Sequence, residues 1–540
     1  MKRLSQCRSA VVAVLLLAMS LSHASCFSNE AGSPFYGRVL SPKLQEFRWS
    51  DGGLPQIFDP AFAAAPPDTD LVRAIFEGLT DYDPTTLRPV PAVATRWESS
   101  KDGKVWTFFL REDARWSNGE LVTADDFIRS WQRTVRLGDQ APHTELLQNI
   151  EGASAGINPP VAPARQQRSS NEKARSLPAR RQQPFGAEAV GTHVLRVRLE
   201  RPDLNFPALV AHPVFRPVKV PDDPLKKIEP AKLISNGAFL LSKTEADRVL
   251  LERADNYWGR QQVALERVSF VATRNAETAL AAYREGQVDA VTNAPFEPLA
   301  IKLLSPYQDF RRATYGALTY YSFNTDHAPF DDIRVREALA IAIDRDRISQ
   351  AEMGGATEPA KRFLPDEMTE HDRPVVGKSD LLEKDGARAR ELLAEAGYPE
   401  GRDFPKIRLL VNRNEQQRIV SGSVAAMWRE VLNIETEIVM KSWDEYESAI
   451  RAGEYDVVRR GLVMQTTDEL TNIRMLFRPT PSSPLAIENE NSENANHPPE
   501  PAVASEEPIE SEEQALRELK AVPIYFASSY SLVKPYVVGF

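Results

Sequence analysis

The sequence predicts an α/β protein built of more than one lobe, and three observations carry that expectation. At 540 residues, 42% of them hydrophobic, the chain has room for two or three domains with cores of their own. Between Ser421 and Arg459 the order reads helix, strand, helix, strand, which layers helices over a sheet. Elsewhere short stretches alternate apolar and polar residues, as strands with one buried face do.

The clearest strands are Val105 to Leu110 and Val194 to Leu199. Helical spacing runs from Ile333 to Ile348 and puts Val335, Leu339, Ala342 and Ile343 on one face, with Asp331 and Asp332 as N-caps. A second helix, Ala387 to Ala396, stops at Gly397 with Pro399 beyond. The alternating region supplies strands at Ile434 to Met440 and Tyr455 to Arg459. No internal repeat is visible.

The N-terminus has a different character. Lys2, Arg3 and Arg8 precede an apolar run, Ala10 to Leu21, that is too short to span a bilayer. Small residues follow at Ser22, Ala24 and Ser25, so residues 1–25 read as a secretory signal. Of the two cysteines, Cys7 lies inside that signal, which leaves the exported chain no internal disulfide. Cys26 stands where a lipoprotein signal places its lipidated cysteine, with His23 where Leu is usual. Ser22-His23-Ala24 suits an ordinary signal peptidase equally. Both readings stand: a membrane-anchored lipoprotein, or a free periplasmic protein.

Two segments carry too little apolar surface to offset their ordering entropy and are expected to be disordered: 154–187, rich in Pro, Arg, Gln and Ser, and 479–513, rich in Pro, Glu, Asn and Ser. The basic run in the first (Arg165, Arg168, Lys173, Arg175, Arg180 and Arg181) has no aromatic residues interleaved and reads as a solvated insertion. A net charge of −10 argues against nucleic acid or an anionic membrane as partner. No metalloprotease, nucleophile-elbow, phosphate-loop or cysteine-cluster motif occurs, and the seven histidines are scattered. The expectation is a protein that is not an enzyme and takes no metal or other cofactor.

A series of longer matches in a fixed order says more. Phe76-Glu77-Gly78-Leu79, Trp97-Glu98, Ser100-Lys101-Asp102-Gly103, Trp116-Ser117-Asn118-Gly119 and Val122-Thr123-Ala124-Asp125-Asp126-Phe127 come first. Asn236-Gly237-Ala238-Phe239, Asn256-Tyr257-Trp258, Gly286-Gln287-Val288-Asp289, the stretch Pro329 to Leu339 with Ala342-Ile343-Asp344-Arg345, and Leu532-Val533-Lys534-Pro535 follow. Together they make the chain resemble the peptide-binding family of bacterial extracellular solute-binding proteins, over about residues 50 to 540. The C-terminal motif is most similar to the oligopeptide-binding branch.

That resemblance implies a periplasmic-binding-protein-like fold in which two lobes close on ligand and an extra lobe makes a third. Lobe I would take 34–76, 203–316 and 515–540, the extra lobe II 77–202, and lobe III 317–478. It implies a monomer in the periplasm or at the cell surface that hands peptides to an ABC permease and its ATPase, touching the membrane only through an N-terminal lipid. Carried over by motif, the ligand-binding residues are Tyr315, Tyr320, Asn293, Arg451, Arg459 and Gly461. The family's amine-gripping carboxylate is replaced by Gln465, which can accept a hydrogen bond but cannot form an ion pair. Asp468 is the candidate substitute. Two alternatives stay open on that departure: a binder of a non-peptide solute, or a diverged surface lipoprotein without a transport role.

Overall fold

The computed structural model describes residues 34–153, 184–220, 223–365, 382–477 and 508–540. One eleven-stranded sheet runs through both halves of the molecule. From edge to edge its order is Thr436–Lys441, Ile407–Asn412, Val457–Val463, Phe310–Phe323, Ala521–Val533, Ala290–Thr292, Glu46–Asp51, Arg267–Val271, Arg248–Arg253 and Phe239–Thr244, and Thr357–Pro359 adds to Ala521–Val533 from the side.

Two of these strands are far longer than the rest, at 14 and 13 residues. Phe310–Phe323 and Ala521–Val533 pair antiparallel and cross from one half to the other. Their register slips between Thr314 and Leu318, and again between Thr319 and Tyr320. A slip in register bends a ribbon without cutting it. The hinge therefore lies where both strands change core.

On one side of it Phe47, Phe76, Trp106, Phe108, Trp131, Phe206, Phe215 and Phe270 share a core. On the other Tyr321, Phe330, Leu339, Phe363, Leu409, Trp428 and Ile524 share another. A four-stranded antiparallel sheet, in the order Ala94–Ser99, Val105–Leu110, Val194–Arg198, Ala187–Gly191, belongs to the first core together with the helix Ala124–Leu137. The extra lobe thus grows out of lobe I without a separate core.

Most motif residues hold this frame. Glu77 is buried and accepts from Tyr257 Oη (2.6 Å) and Trp258 Nε1 (2.7 Å), while Asn236 Nδ2 donates to its carbonyl. Burial still pushes the Glu77 carboxyl up to about 7, against those two donors. A Cβ on Gly237 would stand 2.5 Å from the Ile75 carbonyl carbon, so only glycine fits there. Asp126 closes a capping box with Thr123 and accepts from Trp116 Nε1. Each polar group of these buried aromatics finds a partner, as it must in a dry core.

Several boundaries differ from the sequence expectation. The helix at Ile333 ends at Ile341, because buried Arg345 turns inward to the carbonyls of Ile343, Leu382 and Pro523. The strand expected at Tyr455 to Arg459 runs instead over Val457–Val463. Residues 515–526 pack in lobe III rather than lobe I, with Ala515, Leu516, Val522 and Ile524 in the second core. The two low-complexity segments are shorter than expected where the structure describes them. Ala187 is buried at the start of a strand, Ile509 is buried in the second core, and Glu512 accepts from Arg362 and from the Leu364 amide. The remainder of both, and the signal segment with Cys26, lie outside the described residues.

Candidate functional site

The register shows where the two lobes confront each other. Val457–Val463 pairs antiparallel with Phe310–Phe323, with Val457 opposite Phe323 and Val463 opposite Ala317, so its carboxyl end points at the hinge. Ala290–Thr292 pairs antiparallel with Ala521–Val533 from the other lobe, with Ala290 opposite Val533, and its carboxyl end also points at the hinge. Glu46–Asp51 runs parallel to it, Asp51 beside Thr292. Two sets of strand carboxyl ends, one from each lobe, thus approach one another across the bend. In open α/β sheets ligands bind at such strand ends.

On the lobe III side one strand edge is left over. The neighbouring strand Ile407–Asn412 pairs only with Val457 and Val458. Beyond them, bonding to Phe310–Phe323 uses the even-numbered residues: the Met464 amide donates to the Gly316 carbonyl and the Asn324 amide to the Asp456 carbonyl. The amides and carbonyls of Arg459, Gly461 and Val463 therefore face the other edge. The Arg459 carbonyl is taken by Tyr446 Oη, and the Val463 carbonyl by Gln465 Nε2 at 3.1 Å. Gly461 and Val463 are exposed, and no strand of the described residues covers them.

The Arg459 guanidinium lies against Gly461 and reaches toward the paired strand Phe310–Phe323. Its Nη2 donates to Thr319 Oγ1 (3.3 Å), its Nε is buried without a partner, and no described carboxylate pairs with it. A Cβ on Gly461 would meet the guanidinium at 3.1 Å, so the glycine keeps the cation's approach open. Tyr446, whose hydroxyl is pushed up to about 12 by burial, ties the helix Trp443–Arg451 to this strand. Trp443 stands beside it, ring centroids 5.6 Å apart, and is 59% exposed. The sequence reading missed this tryptophan; an exposed aromatic at a helix start carries no sequence signal of its own.

Gln465 is not free to grip an amine. The Val214 amide donates to His212 Nδ1 (3.2 Å), which leaves the ring proton on Nε2, facing Gln465 Oε1 at 3.5 Å. Burial, with His143 alongside, pushes His212 down to about 3, so the ring stays neutral. Asp468 is also committed. It is 2% exposed, caps the helix Glu469–Leu476 through the Thr471 amide (2.7 Å) and accepts from Asn205 Nδ2 of lobe I (2.9 Å). It joins the lobes, and burial, with Asp468 alongside, raises Asp203 to about 7.

On the lobe I side Asn293 is exposed in a left-handed conformation (φ 52°) and donates through Nδ2 to Asp51 Oδ1 at 2.5 Å. Thr292 Oγ1 donates to the same oxygen (2.6 Å) and in turn accepts from Trp49 Nε1. Tyr320 differs from its expected role: it is 3% exposed in the second core, its hydroxyl donating to the Leu476 carbonyl. Tyr315 lies on Phe310–Phe323 at the first slip in register. Arg451 is exposed at the C-terminal end of its helix, where its charge is favourable to the helix dipole. The structure thus gathers Arg459, Gly461 and Gln465 on one wall and Asn293 on the other, and gives Tyr320 and Asp468 structural tasks.

Two lobes that share one sheet, bend at a pair of crossing strands and turn an unpaired strand edge toward an opposing wall define a hinged solute-binding protein. The chain belongs to family 5 of that class: the family described as "Bacterial extracellular solute-binding proteins, family 5 Middle" matches residues 88–484. It is 28% identical over 527 residues to the periplasmic oligopeptide-binding protein OppA of Salmonella typhimurium, covering 91% of this chain and 89% of that protein. It is 29% identical to the periplasmic murein peptide-binding protein MppA of Escherichia coli, covering 98% and 95%. Among solved structures, the unliganded open form of the murein tripeptide binding protein MppA superimposes with a TM-score of 0.71 at 28% identity, covering 93% of this chain and 95% of that one.

Proposed function

We propose that the chain is the periplasmic binding component of an ABC importer, and that it captures peptides by closing its lobes on them. The observation that carries this is the free edge at Gly461 and Val463, where an extended backbone can add as a strand. Main-chain pairing of that kind reads a peptide without reading its sequence. The Arg459 guanidinium, which lacks a carboxylate partner among the described residues, supports an anion such as a peptide C-terminus at one end of that edge. Its relatives are named for peptide binding in the periplasm. The signal-like N-terminus and Cys26 support tethering by a lipid, which intact mass measurement of the exported protein tests.

The solute leaves unchanged in this reading, and closure, not chemistry, is what the permease senses. Native mass spectrometry of protein purified without denaturation should find peptides bound, and small-angle scattering should show a more compact particle when they are added back. Protein that comes out empty and binds nothing from a peptide pool would overturn the proposal. Steady cleavage of bound peptide would overturn the binding-only part of it.

A further inference from the structure

On the lobe III wall Gln465 carries no charge and Asp468 is committed to other partners, whereas on the opposing wall the carboxyls of Asp51 and Asp70 face each other. Asp51 is fully buried, and its Oδ1 is saturated by Thr292 and Asn293. Its Oδ2 is buried as well and has no partner in the structure. The group within hydrogen-bonding reach of Asp51 is the carboxyl of Asp70, third residue of the helix Asp68–Ile75. Asp70 is only half-buried and gives the pair its opening. Two carboxylates facing each other have acceptors on both sides and no donor between them. They must share a proton or hold a cation.

Arg73, one helical turn on, acts on Asp70 from a distance but is already occupied, donating to Asp81 Oδ1 at 3.0 Å. Asp68, two residues before, accepts from the Gln56 and Ile57 amides. Among the described residues no third His, Cys, Asp or Glu completes a metal-binding group with the pair. An ammonium is suited to it instead, with three donors, one positive charge and no demand for a fixed coordination shell. The location agrees. Asp51 ends a strand that points at the hinge, opposite the edge where Arg459 and Gly461 wait.

We propose that Asp51 and Asp70 form the site for a cationic amine of the solute, with Asp70 touching the ammonium and Asp51 backing it. This rests on the peptide-binding reading and adds to it the end of the peptide that Gln465 no longer holds. At pH 7, where most of a peptide's α-amine already carries its proton, the ammonium displaces the proton that the acid pair shares, and that proton passes to the buffer. With Arg459 on the facing wall, the cleft has an anion-holding side and a cation-holding side, and a free peptide would lie across it with a fixed polarity.

Calorimetric titration decides it, with a pool of random tri- to pentapeptides and the same pool N-acetylated, at pH 8. Wild-type protein should favour the free amines by tenfold or more. Asp70→Asn should lose that preference to within about twofold while binding the acetylated pool as wild type does. Asp51→Asn should do the same; if it disturbs the Asn293 turn, Asp70→Asn carries the test alone. Repeating the free-amine titration at pH 7 in two buffers of different ionisation enthalpy should show proton release from wild type and none from Asp70→Asn, a difference that a structural role alone would not produce. Equal binding of both pools by wild type, or equal weakening of both pools by Asp70→Asn, overturns the acid-pair site and leaves peptide binding standing. Wild type that binds neither pool overturns both.

Discussion

The two walls of the cleft are made in opposite ways. The lobe III wall is a strand edge, in which backbone groups of Gly461 and Val463 are exposed and one cation, Arg459, lies against Gly461. The lobe I wall is a set of strand ends, in which side chains of Trp49, Thr292, Asn293 and Asp51 are bonded to one another in a row. The first can pair with any extended chain; the second presents a fixed arrangement of acid. The difference teaches how a site can be general and oriented at once. On the proposed reading, generality sits in unpaired backbone, and orientation in charges placed on opposite lobes.

The sharpest way to break this comparison is to separate the two edges of Val457–Val463. Leu462→Pro removes a donor that pairs with Phe310–Phe323 and should cost about 1–3 kcal/mol of stability, since a carbonyl loses its partner. Val463→Pro removes a donor that faces the cleft. It should leave the melting temperature within a few degrees of wild type and weaken peptide binding by about tenfold. Thermal denaturation beside calorimetry reads both, and a Val463→Pro protein that binds normally would mean the edge is not used.

Next comes the charge on that wall. Arg459→Ala should weaken binding by about tenfold, because a charged hydrogen bond contributes about 1.5–3 kcal/mol. C-terminally amidated peptides should feel the substitution least, and titrations with matched acid and amide peptides check this.

A smaller effect distinguishes the walls by pH. Burial and the Asp51 charge hold Asp70 up to about 7, well above the value near 4 of an exposed aspartate. A carboxyl raised on folding contributes stability that is complete below pH 4 and is lost as the pH climbs through 7. Ligand-free wild type should therefore lose more melting temperature between pH 5 and pH 8 than Asp70→Asn does. Gln465→Ala should follow the wild-type slope, because neutral His212 does not titrate in that window. The smallest expected change is in affinity: Gln465→Ala should shift peptide binding by less than threefold, its polar atoms being engaged by His212 and Val463.

How far the sequence reveals this can be followed residue by residue. Val105–Leu110 was legible to the residue, because its alternation matches a sheet with one face buried. The strand at Arg459 was legible only in part. Gly461-Leu462-Val463 shows no polar–apolar alternation, and an unpaired backbone edge leaves no mark on residue type. Asp468 was found as an acid near the site, but its task as a cap depends on the Thr471 amide and on Asn205, 263 residues away. Asp51 and Asp70 gave no signal. One ends a strand and the other begins a helix, and only the fold turns the two carboxyls together. Tyr320 was expected at the ligand, and the structure places it at a strand position that faces the second core.

The alternation along Val457–Val463 has a consequence for how this chain can change over generations. Beyond Val458 the backbone groups of the even positions are answerable to the fold, while those of Gly461 and Val463 face the other edge. Loss or gain of one codon within the strand would exchange the two sets and take fold and cargo down together. The segment should therefore vary in letters and stay constant in length.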